Sequence, residues 1–443
     1  MHNSFWRQFL VILVLAALLR LIFLAVIIPH PERTVRRDTP TYVRPAENIL
    51  NGLPFSEPGI ECARRTPVYP LFLAAVFKVL GHSLLAVAAV QIMLSVLSVA
   101  LLFFLARLFA PERAALFAAL LFALSLNSIV YSIYILSETL FTLLFLSMVF
   151  VLVVFAHRQN LQWIFIAGIF TGLAILCRPL GQFLPVVITG WILLIGGNFR
   201  NKIKTLVLYL LPILLLVLPW MVRNQKACGT FTISTISSYN LLFTYAVALE
   251  ADLTDQNEET IREKIRQKFM QTMSPPTKES DAARAARLQK EWAWEIIKKH
   301  PFRYAKIHLA GLPHTFLPNI TDLFEIAGAT AGGKGTLAIL NRDGLFAAVR
   351  HYFAGRIELL FFAVPFVLVL FTTYLCMIFG FFRSLSRQKF ALLFLLIVPS
   401  LLLLISSGPA SVPRFRAPVM PIICLFAGIG LDALVLKYKV KNH

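Results

Sequence analysis

Residues 36–42 read RRDTPTY and residues 64–70 read RRTPVYP. Both lie in one polar stretch, Pro31 to Pro70, which follows an apolar run from about Leu10 to Ile28. A carboxylate, Asp38, and several guanidinium groups are therefore held against the surface of a membrane segment. A positioned carboxylate can take a proton from an acceptor hydroxyl, and guanidinium groups grip phosphate through paired hydrogen bonds. The combination suits the handling of a lipid-linked phosphate.

The rest of the composition agrees with a membrane setting. Apolar residues make up 58% of the 443 and charged residues 14%, with a mean hydropathy of +0.75. Soluble domains do not have this balance. The net charge of +20 raises the question of nucleic acid. However, much of it sits in short loops between apolar runs, where it sets topology, and no nucleic-acid-binding motif accompanies it. The reading is no nucleic-acid partner. The five cysteines, Cys62, Cys177, Cys228, Cys376 and Cys424, lack metal-ligand spacing. Cys62 and Cys228 fall in loops on the same expected side, which allows a disulfide. The histidines His30, His82, His300, His308, His314 and His351 also lack ligand spacing and read as surface or interface residues.

Ten spans are expected, at about 10–28, 84–106, 114–130, 138–156, 162–177, 183–197, 205–222, 357–382, 390–406 and 417–436. Each is judged against the roughly 20 residues that cross a hydrocarbon core. The first resembles the start of a signal peptide without its small-residue cleavage site, and reads as an uncleaved helix. Arg20 inside it is too deep to snorkel easily and should face other helices or a polar cavity. The run DTPTYVRPAENILNG predicts a short amphipathic helix on the membrane face, ending near Asn51-Gly52. The segment Tyr69 to Leu80 is too short to span and stops at Gly81.

Loops on one side carry Arg7, Arg107, Arg113, Arg158, Arg200, Lys202, Lys204, Arg383, Arg387, Lys389, Lys437, Lys439 and Lys441, against Glu112 alone. That asymmetry places both termini in the cytoplasm and the Pro31–Pro70 loop outside. The expected organisation is an N-terminal transmembrane module, 1–222, with its first outer loop at 29–83. An outer helical insert follows at 223–356, and C-terminal transmembrane helices at 357–443. In the insert, TDQNEETIREKIRQKF and SDAARAARLQKEWAWEIIKK read as amphipathic helices separated by Ser274-Pro275-Pro276. HPFRYAKIHLAGLPHTFLP, from His300, reads as lying in or on the membrane. AGATAGGKG, Ala327 to Gly335, is a loop without the preceding strand and the Lys-Ser/Thr ending of a phosphate-binding loop.

Several of these pieces resemble the GT-C membrane glycosyltransferases that use polyprenyl-phosphate sugars. These include the aminoarabinose transferases and, more distantly, the family 39 protein O-mannosyltransferases. The matching segments are DTPTYVRPAENILNG, RTPVYPLFLA with Gln91, LSETLF around Glu138, GLAILCRPLG around Arg178, Leu218 to Phe243, and RFRAPVMPIICLFAGIGL from Arg414. They leave 246–356 uncovered. The resemblance implies an all-α, polytopic GT-C-like bundle with amphipathic helices in the first outer loop and a small helical periplasmic domain. It further implies a bacterial inner-membrane location and inverting transfer from a polyprenyl-phosphate sugar to an acceptor lipid, glycan or protein on the outer face, with membrane lipid as a partner. Asp38 stands where the family has its central acid. The second acid often beside it is here replaced by Thr39 on one side and Arg37 on the other.

The candidate catalytic residues are Asp38, as general base, and Glu138. A phosphate ester leaves without help, so no acid partner is required of the kind that glycoside hydrolysis needs. The structural alternative for Asp38 is a helix N-cap. Glu138, at the outer end of a span, could complete a metal site with Asp38, orient the acceptor, pair with Arg178, or simply be solvated. The candidate substrate-binding residues are Arg37, Tyr42, Arg64, Arg65, Tyr69, Arg178, Arg223, Tyr239, Asn240, Arg414 and Arg416. Arg416 and Arg64 or Arg65 lead for the donor phosphate; the tyrosines could equally be interfacial belt residues. The two carboxylates leave room for a divalent metal ion without establishing one. A transporter or flippase of lipid-linked sugars would instead predict inverted repeats and broken helices with polar midplane groups; a non-catalytic envelope assembly factor would need neither Asp38 nor the arginines.

Overall fold

The structure is a computed structural model that describes residues 2–57, 59–195, 197–274, 279–329, 336–352, 358–385 and 390–441. Thr330 to Gly335 of the glycine-rich stretch, Pro275-Pro276, Arg356, and the loop bases Arg387 and Lys389 lie outside the described residues.

Among the described residues the regular structure is helical throughout. α1 (His2–Ile27), α2 (Pro40–Leu50) and α3 (Val68–Leu80) enclose the first polar loop. α4 (Leu84–Arg107), α5 (Glu112–Ala123), α6 (Leu126–Ile133), α7 (Glu138–Arg158), α8 (Leu161–Cys177), α9 (Leu184–Leu194) and α10 (Phe199–Cys228) complete the N-terminal bundle. The insert holds α11 (Ile236–Asn240), a π-helical turn at Leu241–Ala246, α12 (Val247–Thr254), α13 (Glu258–Met273), α14 (Asp281–Ile297), α15 (Pro301–Gly311), α16 (Ile320–Ile326) and α17 (Thr336–Tyr352). α18 (Glu358–Leu385), α19 (Phe390–Ile405) and α20 (Met420–Lys441) return to the bundle.

Among the described residues, six helices are long and apolar enough to cross a membrane, or seven if the bent pair α5 and α6 counts as one. The expected stretches at 162–177, 183–197 and 390–406 are helical but shorter, so ten full-length spans do not follow from length and composition. The stretch expected at 114–130 is not a single straight rod either. α5 and α6 meet at 50°. The break leaves the Ala123 carbonyl to accept from the Arg20 guanidinium at 3.2 Å. Arg20 is fully buried and also donates to Ala16 O at 2.9 Å, Ser95 Oγ at 2.8 Å and Ser128 Oγ at 2.7 Å. Deep in an apolar bundle such donors must find acceptors, and a helix break supplies one.

The C-terminal module joins the N-terminal one through close backbone contact at Gly428, where an added Cβ would strike the Ala114 carbonyl of α5, and its own helices α18 and α20 cross as closely. A Cβ added at Gly380 would strike the Phe426 carbonyl, and one at Gly430 would strike the Cys376 carbonyl. Small residues at such crossings let apolar helices gain dispersion contacts where lipid removes the hydrophobic drive. The insert has a small core of its own, made by Leu242, Phe243, Ala246, Phe269, Met273, Ala285 and Ala293. Its helices start on side-chain caps: Asn257 Oδ1 accepts from Glu259 N at 2.8 Å and Ser280 Oγ from Ala283 N at 3.3 Å. Phe302, on α15, is 89% exposed.

Replacing Gly430 by Val should destabilise the protein by about 1–3 kcal/mol through overpacking at the α18–α20 crossing. Thermal unfolding in detergent reads this as a lowered midpoint, and an unchanged midpoint would contradict the close packing.

Candidate active site

The loop after α1 is sewn to the α6–α7 connection before it becomes a helix. Ile135 N donates to Thr34 O at 3.0 Å. Thr39 Oγ1 accepts from Arg36 N at 2.9 Å and donates to Ile135 O at 3.0 Å. Thr39 is the N-cap position of α2 and Pro40 its first residue, where a missing N–H costs nothing. The cap reading of Asp38 is thereby corrected. Its carbonyl accepts from Thr41 N at 3.1 Å, while its carboxylate makes ion pairs with two arginines.

Arg65 Nη2 donates to Asp38 Oδ1 at 2.9 Å, and Arg414 Nη1 to Asp38 Oδ2 at 2.7 Å. Arg65 is further fixed by Thr41 Oγ1 at 2.8 Å and the Tyr42 hydroxyl at 3.1 Å, and stacks 4.3 Å from the Tyr42 ring centre. Arg414 comes from the 3-10 turn Pro413–Val419. Its Nε donates to Glu138 Oε1, which also accepts from Arg178 Nη1. Glu138 is the first residue of α7 and is fully buried, so simple solvation is ruled out for it. Its Oε2 is without a protein partner. The cluster thus joins two carboxylates to three guanidinium groups, one positive charge in excess. Burial alone would raise the Asp38 carboxyl, but Arg65 and Arg414 hold it well below the usual carboxylate range.

The cluster borders a cavity of about 800 Å³. Arg37, Tyr42, Arg64, Tyr239 and Asn240 line it, together with Asp38, Arg65, Arg178 and Arg414. Arg64 lies 4.7 Å from the Tyr239 ring centre and pairs with Glu61. The backbone carrying Arg64 and Arg65 is pinned on several sides. Ser234 Oγ donates to Arg64 O, Thr235 N to Ala63 O at 3.0 Å, and Thr66 Oγ1 to Cys177 O at 3.1 Å. A disulfide between Cys62 and Cys228 ties the same loop to the end of α10.

Three residues expected at the site lie elsewhere. Tyr69 is fully buried and donates to Gln91 Oε1 at 2.8 Å, so it backs Tyr42 instead of facing the cavity. Arg223 stacks near Phe55 and Trp220 and donates to Ser56 Oγ at 3.3 Å. Arg416 is 1% exposed and donates to Thr315 O, Leu317 O and the Tyr374 hydroxyl. In a 3-10 turn, residues two apart project to different sides. Arg414 therefore meets the cavity while Arg416 holds the Thr315–Leu317 backbone.

The sequence reading missed the insert's share of the site. Arg262, Lys290, Tyr245 and His308 line the cavity. It also missed the brace behind the loop. Arg36 donates to Asp322 Oδ1 at 2.7 Å and pairs with Glu325, and Tyr131 donates to Asp322 Oδ2 at 3.1 Å. The only available signal was ITDLFEI, an acid-bearing helix in the part that resembled nothing.

Among the described residues no group of three or more His, Cys, Asp or Glu could hold a metal ion. Asp38 and Glu138 are bridged by the Arg414 guanidinium, which takes the place a shared divalent ion would need. These residues do not fit a metal.

Residues 64–222 match the model of the dolichyl-phosphate-mannose-protein mannosyltransferase family, which is less than half of the chain. No curated protein matches the sequence. The whole chain is similar in structure to the apo oligosaccharyltransferase of Archaeoglobus fulgidus, with a TM-score of 0.54 at 16% identity over 98% of this chain and 52% of that one. The same archaeal enzyme, AglB, in complex with an inhibitory peptide and a dolichol-phosphate, gives 0.54 at 15% identity over 99% and 52%. ArnT from Cupriavidus metallidurans, bound to undecaprenyl phosphate, gives 0.53 at 12% identity over 96% and 60%. The chain spans about half the length of the archaeal enzyme. The fold is thus the GT-C membrane fold, and the chain is a multi-pass membrane protein.

A depressed carboxyl stabilises the folded state fully above its unfolded value, and loses that contribution as pH falls toward its folded value. The stability gap between wild type and Asp38→Asn should therefore be constant above about pH 5. It should narrow as pH drops below about 3.9, the ordinary aspartate value. Thermal unfolding across pH 2.5–7 (roughly the accessible window) measures it, and a gap independent of pH would show that the ion pairs contribute nothing. Removing one partner of a buried pair leaves an uncompensated charge, so Glu138→Gln should cost about 3–5 kcal/mol, read in the same experiment.

Proposed function

We propose that the chain is a membrane glycosyltransferase. It would move a sugar from a polyprenyl-phosphate donor to an acceptor lipid, glycan or protein, with inversion at the anomeric carbon. The observation that carries this reading is the Asp38–Arg65–Arg414–Glu138–Arg178 cluster at the wall of a cavity large enough for a sugar phosphate. The matched mannosyltransferase family and the two fold relatives whose structures hold dolichol-phosphate or undecaprenyl phosphate support the donor class.

In this reading the donor's isoprenoid tail lies between helices and its phosphate meets the cavity arginines. Asp38 removes the proton from the acceptor hydroxyl as that oxygen attacks the anomeric carbon. The bond from the anomeric carbon to the phosphate oxygen breaks, and the electron pair leaves with the phosphate. Arg414 and Arg178 stabilise the charge that develops there. Tyr42, Tyr239, Asn240 and Arg64 line the space for the sugar and acceptor.

The site faces the periplasm of a bacterial inner membrane in this proposal, with both termini cytoplasmic. The excess of bases in the opposite loops supports that orientation. So does the Cys62–Cys228 disulfide beside the site, since disulfides persist in oxidising compartments.

Membranes containing the protein, supplied with labelled polyprenyl-phosphate sugars, should transfer label to endogenous acceptors. Asp38→Asn should lower the rate by about 10²–10⁴-fold, the range for loss of a positioned base. Unchanged transfer by a correctly inserted Asp38→Asn protein would remove Asp38 from the chemistry. Label moved across the membrane without transfer would overturn the enzyme reading in favour of a flippase.

A further inference from the structure

The cluster is closed on itself. Both oxygens of Asp38 accept from guanidinium groups, at 2.9 Å from Arg65 and 2.7 Å from Arg414. A carboxylate so neutralised is a weak base, which sits poorly with taking a proton from a hydroxyl. The two arginines are not held alike. Arg65 has Thr41 Oγ1, the Tyr42 hydroxyl and the Tyr42 ring besides Asp38. Arg414 is held at its side chain by Asp38 and Glu138, and by these carboxylates alone among the described residues. Glu138 keeps Arg178 when Arg414 moves.

We infer that Arg414 is the exchangeable member of the cluster: the donor's phosphate draws it away from Asp38, and this transfer of a guanidinium switches Asp38 on as the base. The inference rests on the proposed transferase reading and adds an order of events to it. A phosphate offers two oxygens for the Arg414 fork and a full negative charge. It therefore competes directly with the carboxylates for the same cation. Asp38, relieved of one of its two ion pairs, regains proton affinity only when a donor is seated. The enzyme then carries an active base only in the presence of the sugar that the activated acceptor will attack. Arg65 stays behind to orient the carboxylate.

Two readouts separate this from a base that acts unaided. The first is binding of undecaprenyl phosphate to purified protein in nanodiscs. If the carboxylate competes with phosphate for Arg414, Asp38→Asn should bind the lipid about tenfold more tightly than wild type, and Arg414→Gln about tenfold more weakly. Equal or weaker binding by Asp38→Asn, in protein whose elution and unfolding profile match wild type, would overturn the exchange. The second needs no variant. The acid limb of kcat/KM reports the free enzyme and that of kcat the donor-bound one. Exchange places the limb for kcat about one pH unit or more above that for kcat/KM, and coincident limbs would refute it. Tighter binding by Asp38→Asn in a protein that transfers no sugar would support the exchange at a lipid-phosphate site while sinking the transferase reading, so the two can fail separately.

Discussion

The Arg414 guanidinium, set between Asp38 and Glu138, is the interaction on which the arrangement of this molecule depends. It joins three parts of the chain that are far apart in sequence: the first polar loop, the start of α7 and the turn before α20. Each brings a charge that would be costly at the edge of an apolar bundle if left alone. Glu138 is fully buried and tolerable only because two arginines converge on one of its oxygens. The loop, in turn, cannot be displaced from the bundle without exposing those charges to an apolar surround. Charge pairing here fixes the position of a segment that has little apolar surface with which to fix itself.

The loop's other restraints act on backbone and not on the reactive groups. Thr34, Thr39 and Thr66 tie it to the ends of α6 and α8 through main-chain partners. Arg36 carries the load to Asp322 in α16. Asp38 and Arg65 are thereby positioned from outside while their own hydrogen bonds face the cavity. Arg20 follows a different rule. It is buried within α1 and satisfied by hydroxyls and carbonyls, so it shapes the α5–α6 bend and stays out of the site.

Much of this was legible in the chain. The helical class, the short helix after Asp38, its end at Asn51-Gly52, and the place of Asp38, Arg64 and Arg65 followed from apolar runs and from polar groups stranded between them. What failed did so for physical reasons. Arg414 and Arg416 are two residues apart in the same turn, and composition cannot tell which one faces a cavity. Arg223 looked like Arg178, an arginine at the outer end of a span, but Phe55 and Trp220 capture it. Tyr69 had the profile of an interfacial tyrosine until Gln91 took its hydroxyl. Ten spans exceed the six or seven helices of full length because helices of 17 residues or fewer, such as α8 and α19, are as apolar as the longer ones. The insert's contribution was invisible, since Lys290 and Arg262 reach the cavity only through the packing of α13 and α14 on the π-helical turn.

The bond between Cys62 and Cys228 spans a sequence separation of 166 residues, and everything from the arginine pair through α10 lies inside that span. The segment from α3 through α10 is therefore a covalent ring, with α1 and α2 outside it. Its two ends stay joined, whatever happens to α18, α19 and α20. Mechanically, the pocket's first loop hangs from a welded hoop, and the turn before α20 reaches across to close it with Arg414.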